Sequence, residues 1–564
     1  IGGITAGDGN LISNNTVGIR VGSGVGSTTD NAFLRNSIFA NGLGLDNGSG
    51  PGITYNDPED ADSGPNDLLN FPVLNNVVQN GANLDIDFDV DLPAGSYRIE
   101  FFDNASGVNA SGFGEGETFL GFANITVTGA AGYESFSTTL TSVTPSSVNN
   151  VTVTATEDLG GGSYGSTSEF GPQFQGAGVI TVTTTSDVAD GDTSSIAALL
   201  GNRGADGFIS LREAIIAANN TANGGAPDEI HFNIAGAGVQ TILPLTALPT
   251  ITEAVVIDGL TQSGASAGTL VTGTQHTLLI ELSGASATGP IEAGLDIRAD
   301  NTVIRGLIIN NWTVQVTTDG IQVLNADNVT IEANYIGTNA AGTAVAANQQ
   351  AGILLEGVTN STVQNNLSSG NTIEGIVIRV ATSTGNTIQG NLVGTNATGN
   401  AALGNLIHGI AITNGATGNT IGGTTATARN IVSGNQQDGV NLRDSGTSGN
   451  VVQGNYIGTD ITGMIDLGNG QHGVSIESGA SSNTIGGGGL GEGNLISGND
   501  SRGVNISSAN SNVVQGNLIG TQSTGLGIIA NGNDGIGVGL GGANNSFGGN
   551  AANDGNTIAN NGGS

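Results

Sequence analysis

Oxygen-bearing side chains cluster between residues 57 and 67, where they could bind a hard metal ion. Asp57, Asp60, Asp62, Asn66 and Asp67 surround a glycine turn in this segment. Ca²⁺ takes about six to eight oxygen ligands and accepts flexible loops. The segment is therefore either a calcium loop or a solvated acidic linker, and the predicted cofactor is Ca²⁺ on these five residues.

Side chains capable of acid–base chemistry lie in the C-terminal half of the chain. Asp438, Arg443 and Asp444 stand close together in sequence, and Asp500 and Arg502 follow in the next repeat. Polysaccharide lyases need a basic residue near a carboxylate-bound cation, and glycoside hydrolases need paired carboxyl groups about 5–9 Å apart. The residue types therefore permit a polysaccharide lyase or hydrolase.

The repeat pattern favours a different interpretation of these residues. His408 and His472 occupy one repeat position, and Asp534 fills the same position in the next copy. A position that changes its side chain from copy to copy is typical of a solvated corner. The sequence therefore predicts no catalytic residues and a protein that is not an enzyme.

The elements that carry these residues are repeated. The phrase NVVQGNYIGT at Asn450–Thr459 returns as NVVQGNLIGT at Asn512–Thr521, and NTIGG begins at both Asn419 and Asn483. Equivalent asparagines at 386, 450 and 512 lie 64 and then 62 residues apart. We interpret each long repeat as three shorter units of about 21 residues.

Each unit contains apolar runs of three to five residues, rich in β-branched side chains and separated by Gly and Asn. Such runs are too short for helices and predict strands. The pattern indicates a parallel β-helix whose coils stack about 4.8 Å apart. Inward positions, among them Val451, Ile476 and Ile496, are predicted to be buried, and corner asparagines are predicted to form ladders between coils.

A family resemblance supports this architecture. The segment ISLREAIIAANN at Ile209–Asn220 resembles the CSLREA segment of large secreted bacterial proteins, with Ile209 at the place of the usual cysteine. The Asn/Gly repeats that follow look like the right-handed parallel β-helices of those proteins, and the resemblance covers most of residues 178–564. It implies a secreted surface protein. The amphipathic stretch 211–220 predicts a helix that caps the solenoid.

Composition restricts the partners. The chain has 47 acidic residues, 11 basic ones and a net charge of −36, which argues against nucleic acid and anionic membranes as partners. It has no cysteine, and no apolar run approaches the roughly 18 residues that would span a bilayer. Together with the resemblance, this predicts a secreted protein at the cell surface or outside the cell.

A second domain precedes the repeats. Residues 84–92 alternate strictly between apolar and acidic side chains, and similar short runs follow at hairpin spacing. This pattern predicts an immunoglobulin-like β-sandwich. The predicted domains, in an all-β chain, are terminal β-helix coils at 1–50, an acidic linker at 51–68, the sandwich at 69–172, a CSLREA-type cap with first coils at 173–258, and a right-handed parallel β-helix at 259–564.

The two ends of the chain are related to each other. Residues 1–15 align with residues 547–561, which predicts head-to-tail self-association into a homopolymer. The sequence therefore favours an extracellular structural protein, the unit of a filament, sheath or surface layer. An adhesin or glycan-binding surface protein is the alternative, with a polysaccharide as partner, and a polysaccharide lyase or hydrolase is the less favoured one.

Overall fold

The computed structural model describes the chain except for residues 23–27, 49–52, 55, 58–59, 61–63, 107–112, 130–132, 175–177, 222, 224–226, 316 and 563–564. The chain forms two compact units. The first comprises Ile1–Ile180, Ala189–Ile209 and Ile216–Asp228, and the second comprises Thr181–Val188, Ser210–Ile215 and Glu229–Ser564.

Unit 1 begins with two stacked coils. Leu11–Ser13 pairs in parallel with Ser37–Phe39, and Ile19–Arg20 pairs in parallel with Leu45–Asp46. Both pairs join residues 26 positions apart, as in Leu11 with Ser37 and Ile19 with Leu45. One winding of the chain at this end is therefore 26 residues long.

Two antiparallel sheets follow the coils in unit 1. Residues 84–90 alternate between a buried face, where Phe88 packs edge-on against Phe101 at 5.5 Å, and a polar face. The alternation predicted for this stretch is confirmed. The three-stranded sheet consists of Val73–Asn80, Asn83–Val90 and Glu134–Leu140. The four-stranded sheet consists of Ser163–Thr167, Val151–Gly160, Gly95–Asp103 and Thr118–Val127.

Three buried glutamates tie the coils of unit 1 to these sheets. Glu100, Glu115 and Glu169 accept hydrogen bonds from the backbone N–H groups of residues 35, 41 and 47, at 2.8, 2.9 and 2.7 Å. Burial raises the pKa of each carboxyl, that of Glu169 to about 7. The carboxylates thus satisfy strand-edge donors that a further coil would otherwise take up.

Unit 2 contains three long parallel sheets, which we name sheets A, B and C. Sheet A has twelve strands, in the order Val179–Val182, Asp228–Phe232, Val255–Asp258, Val303–Arg305, Thr330–Glu332, Thr362–Gln364, Thr387–Gln389, Thr420–Gly422, Val451–Gln453, Thr484–Gly486, Val513–Gln515 and Ser546–Phe547. Sheet B has eleven, namely Gln240–Ile242, Ile280–Ser283, Leu307–Asn310, Tyr335–Ile336, Leu367–Ser368, Leu392–Val393, Ile431–Val432, Tyr456–Ile457, Leu495–Ile496, Leu518–Ile519 and Thr557–Ile558. Sheet C has nine, namely Ala293–Ile297, Asp319–Leu324, Ile353–Glu356, Ile376–Arg379, Ile410–Thr413, Val440–Arg443, Val474–Glu477, Val504–Ser507 and Ile536–Val538.

The chain visits the three sheets in turn, which makes unit 2 a parallel β-helix, as predicted. The coil length differs from the prediction. Ile388 pairs with Ile421, and Ile421 pairs with Val452, so these coils are 33 and 31 residues long. The 64-residue repeat therefore spans two coils, and its division into three units is wrong. Each coil has several corners with an Asn/Gly phrase, so counting these phrases gives too many coils and too short a coil length.

The interior of unit 2 is a set of stacked aliphatic columns. Ile388, Ile421 and Val452 of sheet A have no exposed surface, and neither do Ile476 of sheet C and Ile496 of sheet B. Val451, which was predicted to be buried with them, is only partly buried because its neighbour Val452 takes the inward position. Branched side chains suit these columns because their rotamers are restricted in strands.

Asparagine ladders run along three corners of the coils. In nearly every step the backbone N–H and the side-chain amide of one asparagine both donate to Oδ1 of the asparagine in the next coil, as from Asn430 to Asn455 at 3.2 and 2.9 Å. From Asn348 to Asn371 only the side-chain amide donates. The predicted ladder is confirmed, in three copies. Their members are Asn386, Asn419, Asn450, Asn483, Asn512 and Asn545; Asn334, Asn366, Asn391, Asn430, Asn455, Asn494, Asn517 and Asn556; and Asn348, Asn371, Asn405, Asn435, Asn469, Asn499, Asn531 and Asn561.

Two α-helices, at Ile196–Gly201 and Leu211–Asn219, lie in the chain between the first two strands of sheet A. The second is the helix predicted from the sequence. Arg212 at its start forms an ion pair with Asp187 at 2.9 Å, and the capping role of this helix remains a prediction.

Short 3-10 helices lie at Pro65–Leu68, Val148–Asn150, Gly259–Thr261, Leu270–Thr272 and Gly284–Ser286. Among the described residues, helices long and apolar enough to cross a membrane are absent.

We predict that Asn430→Asp lowers the melting temperature. The Asn430 amide donates to the Ile388 carbonyl and to Asn455, and a buried aspartate cannot make these bonds in its charged form. Leaving such a charge uncompensated costs roughly 3 to 5 kcal/mol. The matched control is Asn400→Asp, because exposed Asn400 accepts bonds through an oxygen that aspartate keeps. Equal melting curves for the two variants, recorded by circular dichroism, would contradict the ladder's role.

Candidate active site on sheet C

A row of titratable side chains precedes the strands of sheet C. A glycine stands directly before seven of the nine strands of sheet C and at the second residue of the first two, and a Cβ on Gly409 or Gly439 would lie 2.7 Å from a carbonyl oxygen of the next coil. Glycine is therefore required at this corner, and the residue before it begins each strand in register with its neighbours. We name these residues the corner row. It contains Asp319, Glu374, His408, Asp438, His472, Arg502 and Asp534.

The centre of the corner row is a buried histidine–aspartate pair. His408 Nδ1 lies 3.3 Å from Asp438 Oδ2, and the two side chains are each 5% exposed. The second carboxylate oxygen, Oδ1, accepts the backbone N–H of His472 at 3.0 Å. The amide of Asn441 donates to Asp438 Oδ2 at 2.9 Å and to Glu477 Oε1 at 3.1 Å. The carboxylate is thus held at a fixed orientation towards the imidazole.

A partly exposed arginine lies beside the pair. The Arg443 side chain is 36% exposed and approaches Glu374 Oε1 at 3.7 Å. Its positive charge acts on both members of the pair, because it lowers the pKa of His408 and opposes the rise in the pKa of Asp438. A cation in this position can neutralise an anionic ligand that approaches the sheet.

Burial shifts the pKa values of the pair in opposite directions. Loss of hydration lowers the pKa of His408 to about 4 and raises that of Asp438 to about 6. Burial also raises the pKa of Glu374, and it raises that of Asp319 to about 7. The histidine is therefore uncharged at neutral pH, and the neighbouring Asp438 carboxyl has a pKa close to neutral pH.

The proton on Asp438 decides what the outer imidazole nitrogen can do. His408 Nδ1 also accepts the backbone N–H of Asp438 at 3.3 Å, and in this tautomer the neutral imidazole carries its proton on Nε2. The other tautomer carries its proton on Nδ1, donates to Oδ2 of an ionised Asp438, and keeps a lone pair on Nε2. When Asp438 is protonated, its O–H donates to Nδ1, and Nε2 carries the proton. His408 Nε2 makes no hydrogen bond with the described residues. It can act as a base only in the tautomer that donates from Nδ1, which requires an ionised Asp438 and therefore a pH above about 6.

The structure brings together some of the residues that the sequence offered for acid–base chemistry. Asp438 lies 3.3 Å from His408, and the charge of Arg443 lowers the pKa of His408, whereas Asp444 accepts the backbone N–H of Asn414 and Asp500 is exposed. The interpretation of the His408 position as a solvated corner is wrong, because the residue is buried. Sequence reasoning missed Glu374, Asn441 and Glu477. The signal for Glu374 was the recurring pattern of a titratable residue before Gly-Ile or Gly-Val, whereas Asn441 and Glu477 lie on the strands that follow and carry no such signal.

The predicted calcium loop is described only in part. Asp62 lies outside the described residues. Asp67 Oδ2 accepts from Ser166 Oγ at 2.6 Å, Asp60 Oδ1 accepts the Asn70 N–H at 2.8 Å, and the Asn70 amide donates to the Asp57 carbonyl. The Asn66 amide binds the carbonyls of residues 31 and 167. Within the described ranges no group of three His, Cys, Asp or Glu side chains is placed to hold a metal.

Comparison with known proteins identifies the solenoid type. Residues 252–427 match the family model described as a right-handed beta helix region. No curated protein matches the sequence significantly.

Several solved structures share part of the fold. The A-module of the Azotobacter vinelandii mannuronan C-5 epimerase AlgE4 is 14% identical with a TM-score of 0.32, over 62% of this chain and 96% of the module. The alginate lyase of a Paenibacillus species is 15% identical with a TM-score of 0.30, over 59% and 95%. The Dettilon tailspike protein is 16% identical with a TM-score of 0.29, over 64% and 69%.

These findings contradict two predictions made from the sequence. The sequence favours a filament unit that is not an enzyme, but similar structures include an epimerase and a lyase of polysaccharides, and none of these three proteins is named as a filament protein. The physical reason for the error lies in the corner row. The position of His408 was assigned to the solvent because its residue type varies between repeats, although the coils bury His408 and lower its pKa.

We predict that Arg443→Gln raises the pKa of His408, because the arginine charge disfavours the imidazolium ion. The chain has only four histidines, so isotope labelling of histidine gives a resolvable NMR titration. The control is Arg429→Gln, which removes an arginine that lies over the Tyr456 ring instead. A His408 pKa near that of free imidazole in the unmodified chain would contradict the buried pair.

Calcium binding at residues 57–67 remains a prediction. If Asp57, Asp60, Asp62, Asn66 and Asp67 hold Ca²⁺, a chelator lowers the melting temperature and added Ca²⁺ restores it. Asp62→Asn should weaken this response, and Asp206→Asn should leave it unchanged because Asp206 lies outside the acidic segment. A melting temperature that ignores the chelator would remove the metal from this segment.

Proposed function

We propose that the chain is an enzyme that acts on an acidic polysaccharide, with its active site at the centre of the corner row. The observation that carries the proposal is the His408–Asp438 pair at 3.3 Å beside the partly exposed Arg443. A neutral imidazole oriented by a carboxylate is a general base, and a neighbouring guanidinium binds carboxylates. Together they favour proton abstraction from a carbon atom that bears a carboxylate.

The negative charge of the chain restricts where an acidic substrate can bind. A protein of net charge −36 repels polyanions as a whole, so a carboxylate must be bound where arginine is concentrated. Sheet C provides such a place. Arg379 and Arg443 occupy equivalent strand positions two coils apart, about 10 Å at the usual strand spacing. Arg502 follows two further coils along, in the corner row. A linear chain of uronate sugars with a carboxylate on every ring suits this spacing.

The proposed step follows from the site. Arg443 turns from Glu374 to the substrate carboxylate and neutralises it, which lowers the energy of the carbanion that forms next to the carboxylate. His408 Nε2 takes the proton from that carbon, while Asp438 stabilises the imidazolium through Nδ1. A water molecule that reprotonates the carbanion from the opposite face gives the epimer. In elimination the carbanion electron pair forms a C=C bond, the C–O bond to the glycosidic oxygen on the adjacent carbon breaks, and that oxygen takes a proton from water.

We predict that alginate, polygalacturonate or another polyuronate is converted by the full chain. Elimination is detected by absorbance of the unsaturated uronate, and epimerisation by deuterium uptake from D₂O at the carbon next to the carboxylate. His408→Asn and Arg443→Gln should each reduce the rate by about 10²-fold or more. The rate should rise as pH passes about 6, because Asp438 must be ionised to leave Nε2 free.

Two matched variants keep this test specific. His231→Asn removes a histidine whose partner is Glu229, and Arg429→Gln removes an arginine of similar partial burial, and both should retain full rates. Activity that survives His408→Asn in a folded chain would end the assignment, as would the lack of both products with every polyuronate in the panel.

The proposed enzyme also contains a second domain, in unit 1. The two antiparallel sheets of unit 1 support an immunoglobulin-like sandwich, since their first, second and fifth strands form one sheet and the remaining four form the other.

We assign the chain to the exterior of the cell, where polyuronates are found as extracellular polymers. The CSLREA-like segment at Ile209–Asn220 supports this location. Head-to-tail self-association remains a prediction.

A further inference from the structure

A polar cavity lies on the outer side of sheet A, on a different sheet from the candidate active site. Its volume is about 390 Å³, which falls at the lower end of the range of small-ligand sites. Of the described residues that line it, only Glu332 is charged. The lining consists of Thr269, Glu332, Gln364, Asn365, Gln389, Gly390, Thr425, Thr427 and Ala428.

The floor of the cavity is a row of three polar side chains on successive coils. Glu332 pairs in register with Gln364, and Gln364 pairs with Gln389. Gln364 donates to Glu332 Oε2 at 2.7 Å, and Gln389 donates to Gln364 Oε1 at 3.1 Å. This relay ends at Gln389 Oε1, which accepts no hydrogen bond from the described residues. The next strand has Gly422 in the same position, so the row stops there and leaves space.

The wall towards the N-terminus is a loop closed by a bridge between Ser266 and Thr277. Asn365 fixes this loop to the sheet. Its Oδ1 accepts the Leu270 N–H at 3.0 Å, and its amide donates to the Gly268 carbonyl at 2.8 Å. His276 Nε2 lies 2.9 Å from the Asn365 carbonyl oxygen. The wall is therefore held in place before a ligand arrives.

The opposite wall is an enlarged turn between sheets A and B. Two residues join these strands at 390–391, whereas residues 423–430 join them one coil later. Gly390 donates its N–H to the Ala428 carbonyl at 3.1 Å, and the Arg429 guanidinium lies 3.8 Å over the Tyr456 ring. The hydroxyl groups of Thr425 and Thr427 lie 3.2 Å apart on this exposed turn. At the other end of the turn the Gly423 N–H donates to the Gln453 carbonyl at 3.1 Å, so the second wall is also anchored at both ends.

We propose that this cavity is a binding site for an uncharged, hydroxyl-rich sugar unit, separate from the active site. Amides and hydroxyls both donate and accept hydrogen bonds, as sugar hydroxyls do. The only charged lining residue is Glu332, and the nearby Arg305, 3.7 Å from it, is already paired with Asp258, so the cavity offers an anionic sugar no unpaired cation among the described residues. The two fixed walls reduce the ordering cost of binding. The site would hold one or two rings of a neutral glycan.

The test is isothermal titration of the full chain with cellotriose, mannotriose, xylotriose and chitotriose, with trigalacturonate as the charged comparison. We expect at least one neutral trisaccharide to bind. Gln389→Leu should weaken that binding about tenfold, because it removes the free acceptor at the end of the relay. Replacing both hydroxyls by methyl groups in Thr425→Val with Thr427→Val should also weaken it.

The matched control is Gln453→Leu, which changes the same residue type at the same strand position two coils beyond Gln389 and outside the lining. It should bind the sugar as the unmodified chain does. Failure of all four neutral sugars to bind, or equal binding by the Gln389→Leu and Gln453→Leu chains, would overturn the proposal. So would binding of trigalacturonate in preference to the neutral sugars. The polyuronate assay does not use this face, so the two proposals fail independently.

Discussion

The asparagine ladders are the constraint on which the solenoid depends. Each buried amide has to satisfy its donors and its acceptor, and the asparagines of the two neighbouring coils do this together. Asn391 donates to Oδ1 of Asn430, and the amide of Asn430 donates to Oδ1 of Asn455. A coil that slipped by one residue would expose Ile476 and bury its outward neighbours. The ladders and the aliphatic columns therefore enforce one register, and the register places the corner row residues of successive coils beside one another.

The corner row shows the energetic consequence of this arrangement. Burying His408 and Asp438 disfavours their charged forms, so the pair is costly for folding unless the proton is shared within it. Such paired shifts cluster at functional sites, although structural networks also produce them. The glutamates of unit 1 provide the contrast. Glu115 and Glu169 are buried with raised pKa values too, but backbone N–H groups of the coils occupy their oxygens, so they serve the fold.

The sequence predicted the architecture well because inward and corner positions obey strict local rules. β-branched residues form the columns, and asparagine and glycine occupy the corners, so a parallel β-helix follows from composition and spacing. The coil length did not follow, because the same Asn/Gly phrase serves several corners. The candidate active site was harder to predict from the sequence than the coil length. That Arg443 meets Glu374, although 69 positions separate them, depends on which coils are neighbours, and the burial of His408 depends on packing between coils rather than on its own residue type.

The most direct test of the account is an NMR titration of the histidine-labelled chain with a triuronate, because two of the four histidines, His408 and His472, lie in the corner row and His231 and His276 do not. The account predicts that the His408 and His472 signals shift in a saturable way while the other two stay fixed. Shifts confined to His231 or His276, or no shift at saturating sugar, would contradict a polyuronate site on sheet C.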